Sequence, residues 1–152
     1  MDPTTQNDLT WLLDELVAVP NVLCALVLST DGLIVQKSTS LPQDAAELLA
    51  AGTSSLYSLA AGTGRRFDSG PVQQVITEYR DHTLFVAAAG VNARLAVLCD
   101  QAVDMGTVAY EMSRLVTRIG QYLLGGQRRN FADQPDHRGL PGTESARDDD
   151  LG

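Results

Sequence analysis

The groups with which this sequence could do chemistry are few: two thiols, Cys24 and Cys99, two imidazoles, His82 and His137, some scattered carboxylates and one loop rich in glycine and arginine. Each thiol sits inside an apolar run, at residues 22–28 and 95–99. That is the setting of a small buried hydrophobe, whereas a nucleophilic thiolate needs an electropositive, accessible site. His82 falls in a turn between strand-like runs and His137 in a polar C-terminal stretch; neither has a second histidine at ligand spacing, so no metal centre is expected. Asp14 and Glu15 are neighbours on a helical pattern and so do not face each other, which reads as solvated charge rather than an acid/base pair. The run Asp148, Asp149, Asp150 reads the same way, and Ser29 and Ser69 lack a histidine and aspartate partnership. The stretch Gly62-Thr-Gly-Arg-Arg66 follows a helical pattern, whereas phosphate-cradling loops follow a strand and open a helix. It is expected to be a solvated connection. No catalytic residue, cofactor or metal is expected, and binding surfaces become the search target.

The elements that must carry such a surface follow from length and pattern. A chain of 152 residues with 44% hydrophobic and 20% charged residues can bury one core and not two. Its formal net charge of −8 repels a phosphate backbone, which excludes nucleic acid as the expected partner. The polar, acidic start lacks the basic and apolar segments of a secretion signal, two cysteines fit a reducing compartment, and no apolar run reaches bilayer-spanning length. A cytoplasmic protein without membrane insertion is expected.

Leu9, Leu12, Leu13 and Leu16 share one helical face, which predicts a helix over residues 8–17 capped by Asn7 or Asp8 and ended by Pro20. Two β-rich runs, 22–28 and 33–37, flank Ser29-Thr-Asp-Gly32 and predict a hairpin in which Asp31 and Gly32 tolerate positive φ. A second helix is predicted over 44–60, with Pro42 and Asp44 suited to its start. Ala45, Leu48, Gly52, Leu56 and Leu59 mark one of its faces and Leu49, Thr53, Tyr57 and Ala60 a neighbouring one, more apolar surface than one contact hides. Three strand-like runs follow at 72–79, 83–89 and 94–99, joined by short turns as an antiparallel meander, and the polar first run belongs at the sheet edge. Met105, Val108, Met112, Leu115 and Ile119 trace a third helix over 104–124, capped by Asp100 or Asp104 and stopped by Gly125 and Gly126.

The domain reading is a flexible segment 1–7, a folded domain 8–124 and a disordered acidic tail 125–152. The fold class is α/β in the α+β sense: order α-β-β-α-β-β-β-α, a five-stranded antiparallel sheet, first and third helices on one face and the second on the other. The polar edge strand exposes unpaired backbone groups beside the surplus apolar face of the second helix. Dimerisation through both elements across a two-fold axis is expected, strand against strand and helix against helix.

The order of elements, the segment Ala25-Leu-Val-Leu-Ser-Thr-Asp-Gly-Leu-Ile34 and the small-residue second helix together resemble the roadblock (dynein light chain) family, over residues 9–124. The acidic, lysine-poor chain with its tail further resembles the bacterial roadblock proteins encoded beside a small Ras-like GTPase and a sensor-kinase-like protein in conservons. The resemblance implies a roadblock/profilin-like fold. It also implies a non-enzymatic homodimer that regulates or scaffolds a small Ras-like GTPase, with a sensor-kinase-like protein as a further partner. On that analogy Leu49, Thr53, Tyr57 and Ala60 of the helix, and Val72, Gln74, Ile76 and Glu78 of the edge strand, are candidates for the dimer or partner interface. Two other classes stay open: a small-ligand sensor with a pocket lined by strand residues, and a thiol enzyme using Cys24 or Cys99.

Overall fold

The structure, a computed structural model, describes residues 3–132, with side chains over residues 9–125. Its elements are α1 (Pro3–Val17), β1 (Val22–Ser29), β2 (Ile34–Lys37), α2 (Gln43–Arg66), β3 (Gln74–Glu78), β4 (His82–Ala88), β5 (Ala93–Asp100) and α3 (Met105–Ala132). All strands pair antiparallel in the spatial order β2-β1-β5-β4-β3, so β3 is an edge strand, as its polarity predicts.

Strand alternation divides the apolar residues between two cores. From β1, Ala25 and Val27 point to the side of α1 and α3, where they meet Leu9, Leu13, Leu16, Val108, Met112 and Ile119. Cys24, Leu26 and Leu28 point the other way and meet Ala46, Ala50 and Tyr57 of α2. A register shift between Val22 and Cys24 returns Val22 to the first side. β4 and β5 split likewise, with Phe85, Leu95, Val97 and Cys99 under α1 and α3, and Leu84, Val86 and Ala96 under α2. Because both faces of the central strands are covered, they carry continuous apolar runs.

The hairpin turn closes with Gly32 N–H donating to the Ser29 carbonyl at 3.0 Å. Gly32 takes a φ of +81° and Asp31 does not join it, so one residue of the expected pair does the turning. A Cβ at position 32 would lie 3.3 Å from Ser54 Cβ, so the turn packs directly on α2. Asp104 caps α3, its Oδ1 accepting from the N–H groups of Gly106 (3.0 Å) and Thr107 (3.3 Å).

Three helix ends differ from the sequence expectation, each by extension. α1 is already helical at Pro3, ahead of the expected start at residue 8, where a proline is tolerated because a first turn leaves its N–H positions unbonded; residues 3–7 of the segment expected to be flexible are therefore helix, and Asn7 and Asp8 lie inside α1 rather than capping it. α2 runs through Gly62-Thr-Gly-Arg-Arg66, read above as a loop. α3 continues past Gly125 and Gly126 to Ala132, so residues 125–132 are helix; the rest of the expected tail, residues 133–152, lies outside the described residues. A helical glycine costs about 1 kcal/mol against alanine, too little to stop a helix already nucleated. At the end of α2, Arg65 and Arg66 also complement the negative pole of the helix dipole.

Candidate interaction surface

The two thiols are free, buried and on opposite faces of the sheet. Burial raises the Cys24 thiol, and burial followed by the neighbouring Asp100 carboxylate pushes Cys99 up to about 11, so both stay protonated near neutral pH. That is the electrostatic opposite of an activated nucleophile. His82 opens β4 and is exposed. Asp14 is not idle charge: its carboxylate accepts from the Thr39 N–H at 2.8 Å and from Thr39 Oγ1 at 2.6 Å, tying α1 to the chain after β2. Among the described residues no group of three or more His, Cys, Asp or Glu is placed to hold a metal ion.

Exposed apolar side chains are spread over the described surface, Trp11, Leu33, Val91 and Tyr110 among them, and one group lies on α2 and the sheet edge beside it. Ala46, Ala50, Thr53 and Tyr57 form the buried face of α2, so Thr53 and Tyr57, candidates for an outward interface, turn into the sheet. Thr53 Oγ1 is fully buried without a hydrogen-bond partner, and Tyr57 Oη donates to the Val72 carbonyl at 2.5 Å. Leu49 and Ala60 are half-buried at the flank. The outward face is the neighbouring stripe: Leu48 at 77% exposure, Gly52 with nothing within 4 Å of where a Cβ would stand, and Leu59 at 72%.

On β3 the ladder to β4 fixes which backbone groups are open. Tyr79 N–H donates to the His82 carbonyl at 2.8 Å and Ala88 N–H to the Gln73 carbonyl at 3.4 Å. Hydrogen-bonded and non-bonded pairs alternate along an antiparallel ladder. Gln74, Ile76 and Glu78, opposite Ala87, Phe85 and Thr83, are therefore the residues whose N–H and C=O groups face the open edge. Their side chains lie on the α1 and α3 side of the sheet, with Ile76 46% exposed. Val75, opposite Val86, and Thr77, opposite Leu84, lie instead on the side of α2. Sequence reasoning passed over Val75 and Thr77, since which side of an edge strand meets a given helix depends on register. Val72 is half-buried beside Tyr57.

A cleft of about 860 Å³ opens at the C-terminal end of α2, between it, the start of β3 and the β4–β5 turn. Its walls include Tyr57, Arg65, Asp68, Val72 and Arg94 together with Gly64, Gly70 and Gly90. The Arg94 guanidinium lies over the Tyr57 ring, 3.7 Å from its centroid, a stacked cation–π arrangement. Arg94 is the second residue of β5, at the start of an apolar run, and nothing in that local pattern marks it out.

Comparison with known proteins bears on the whole arrangement. Residues 9–99 match the family model described as Roadblock/LC7 domain. The chain is 41% identical to a Roadblock/LC7 domain from Streptomyces avermitilis, with a TM-score of 0.73 over 76% of this chain and 97% of that one. The gliding protein MglB of Thermus thermophilus shares the fold at 16% identity, TM-score 0.72, over 80% of this chain and 93% of its own. Profilin IB of Acanthamoeba castellanii shares it more distantly, at 14% identity and TM-score 0.53, over 78% and 98% of the two chains. No curated protein matches the chain. Among the described residues no helix is long and apolar enough to cross a membrane.

Proposed function

The chain belongs to the Roadblock/LC7 domain family, and from that premise we propose that it is a non-enzymatic homodimer that regulates or scaffolds a small Ras-like GTPase in the cytoplasm. A sensor-kinase-like protein is the further partner in this reading. The observation that carries it is the coincidence of two unsatisfied surfaces: the stripe of Leu48, Gly52 and Leu59 lies on the element beside the open backbone of Gln74, Ile76 and Glu78. Two β3 strands paired across a two-fold axis satisfy the open N–H and C=O groups and make one ten-stranded sheet. The same operation brings two α2 helices together, where Gly52 permits close approach and Leu48 and Leu59 are hidden, with Leu49 and Ala60 at the flank. The paired helices then form the platform for the GTPase. Thr53 and Tyr57 serve that platform from beneath, by seating α2 on the sheet.

The test combines mass with nucleotide state. Light scattering is expected to return twice the chain mass for the natural protein and the single mass for Leu48→Glu combined with Leu59→Glu. Pull-down against a small Ras-like GTPase loaded with GDP or with a non-hydrolysable GTP analogue is expected to retain the dimer in at least one state and to lose the double variant. A strict monomer, or a dimer that ignores its GTPase in both states, sinks the proposal.

A further inference from the structure

Arginines in a concave wall ordinarily meet carboxylates, above all in a chain whose acidic residues outnumber its basic ones. The ion pairs of the described residues join Arg80 to Asp81, Arg114 to Glu111 and Arg118 to Glu15, and leave out both Arg65 and Arg94. Both of these line the cleft at the end of α2, against a single carboxylate on the same walls, that of Asp68. Arg94 is half-buried and held flat by Tyr57, and it uses Nη1 to donate to the Ala93 carbonyl at 3.2 Å. Guanidinium has five N–H donors, so a fixed fork remains for an incoming acid. Gly64, Gly70 and Gly90 leave three stretches of wall without side chains, which suits close approach of an extended backbone.

We propose that this cleft binds a carboxylate-rich peptide segment, and that its occupant is the chain's own stretch 144–150, Glu-Ser-Ala-Arg-Asp-Asp-Asp. Connectivity supports that choice. Gly90, on the cleft rim, packs against Gly120 of α3, a Cβ at either position meeting the other's Cα within 3.6 Å. α3 therefore passes the rim and continues about 18 Å beyond it to Ala132. The residues between there and Glu144 can span up to about 40 Å, which is enough to fold back. A tether of that length holds the acidic run at an effective concentration of order millimolar, so modest affinity fills the site. The inference does not depend on the GTPase reading.

The full chain supplies the test. Both native thiols are buried, so Ser145→Cys takes a nitroxide label selectively. The amide signals of Gly64, Gly70 and Gly90 are expected to broaden, and to sharpen again when Asp148, Asp149 and Asp150 are all changed to Asn or when exposed Arg65 is changed to Gln. They are also expected to sharpen at about 1 M salt, where the Debye length is about 3 Å. Isotope-labelled, spin-labelled chain diluted into an excess of ordinary chain is expected to keep the broadening. Its loss on dilution means that a second copy supplies the segment and overturns the assignment. Broadening absent, or indifferent to the aspartates, also overturns it. So does a response of the cleft signals to added inorganic phosphate with none to the tail charges, which marks a small-anion site.

Discussion

At the scale of single residues, Thr53 and Cys99 show how burial sets chemistry. Thr53 carries a hydroxyl into the α2 side of the core with nothing to bond, and a buried unpaired hydroxyl costs of order 1 kcal/mol or more. Thr53→Val keeps the shape and removes the hydroxyl, so urea unfolding is expected to show a gain of about 1 kcal/mol; a loss of that size would show that the hydroxyl has a partner after all. Cys99 works in the other direction along the pH axis. Its pKa is raised in the folded chain, so its contribution to stability is whole below the ordinary thiol range and is lost as pH climbs towards about 11. Stability of the natural protein is therefore expected to fall more steeply between about pH 9 and 11 than that of Cys99→Ala, whatever the offset the smaller side chain introduces. A thiol reagent at neutral pH is likewise expected to modify neither cysteine until the chain unfolds, so labelling rate follows opening of the core.

At the scale of elements, the edge strand and the ends of the helices carry the testable content. Ile76 directs its N–H away from β4, so Ile76→Pro removes a donor that a single copy does not use. Circular dichroism of the variant is expected to match the natural protein while self-association is lost; an unfolded variant would place that N–H inside the sheet. Gly125 lies inside α3 with nothing within 4 Å of where a Cβ would stand, so Gly125→Ala is expected to raise stability by about 0.5–1 kcal/mol in thermal unfolding. The glycines also explain what the sequence hid. Strands β1, β4 and β5 were legible because a run such as Leu84 to Ala88 leaves no polar face, and α3 because Met105 to Ile119 keeps one stripe. Gly62, Gly64, Gly125 and Gly126 looked like stops, yet their cost is small beside the context of a long helix. For the interface, the edge position of β3 could be read from Gln73, Gln74 and Glu78. The burial of Thr53 and Tyr57 could not, since two apolar stripes on one helix look alike until a sheet claims one of them.

At the scale of the whole molecule, the surface that one copy leaves open sets its behaviour in solution. If α2 and β3 meet a second copy, denaturation midpoints of the natural protein rise with protein concentration, because association stabilises only the folded chain. Leu48→Glu with Leu59→Glu is expected to remove that concentration dependence. Stability per copy is expected to change by only about 0.5 kcal/mol per substitution, as both positions are solvent-facing in the single chain. Sedimentation at two loading concentrations together with urea titrations checks both halves. The sheet also divides the interior into two compartments that share backbone but few side-chain neighbours. Phe85, Leu13 and Met112 fill the compartment under α1 and α3, and Leu26, Leu28, Tyr57 and Leu84 fill the one beneath α2, where Ala46 and Ala50 let the helix lie close to the sheet. Changes in separate compartments combine nearly additively. The molecule thus has a keel and a deck: the deck can be recut for new passengers while the keel keeps the hull upright.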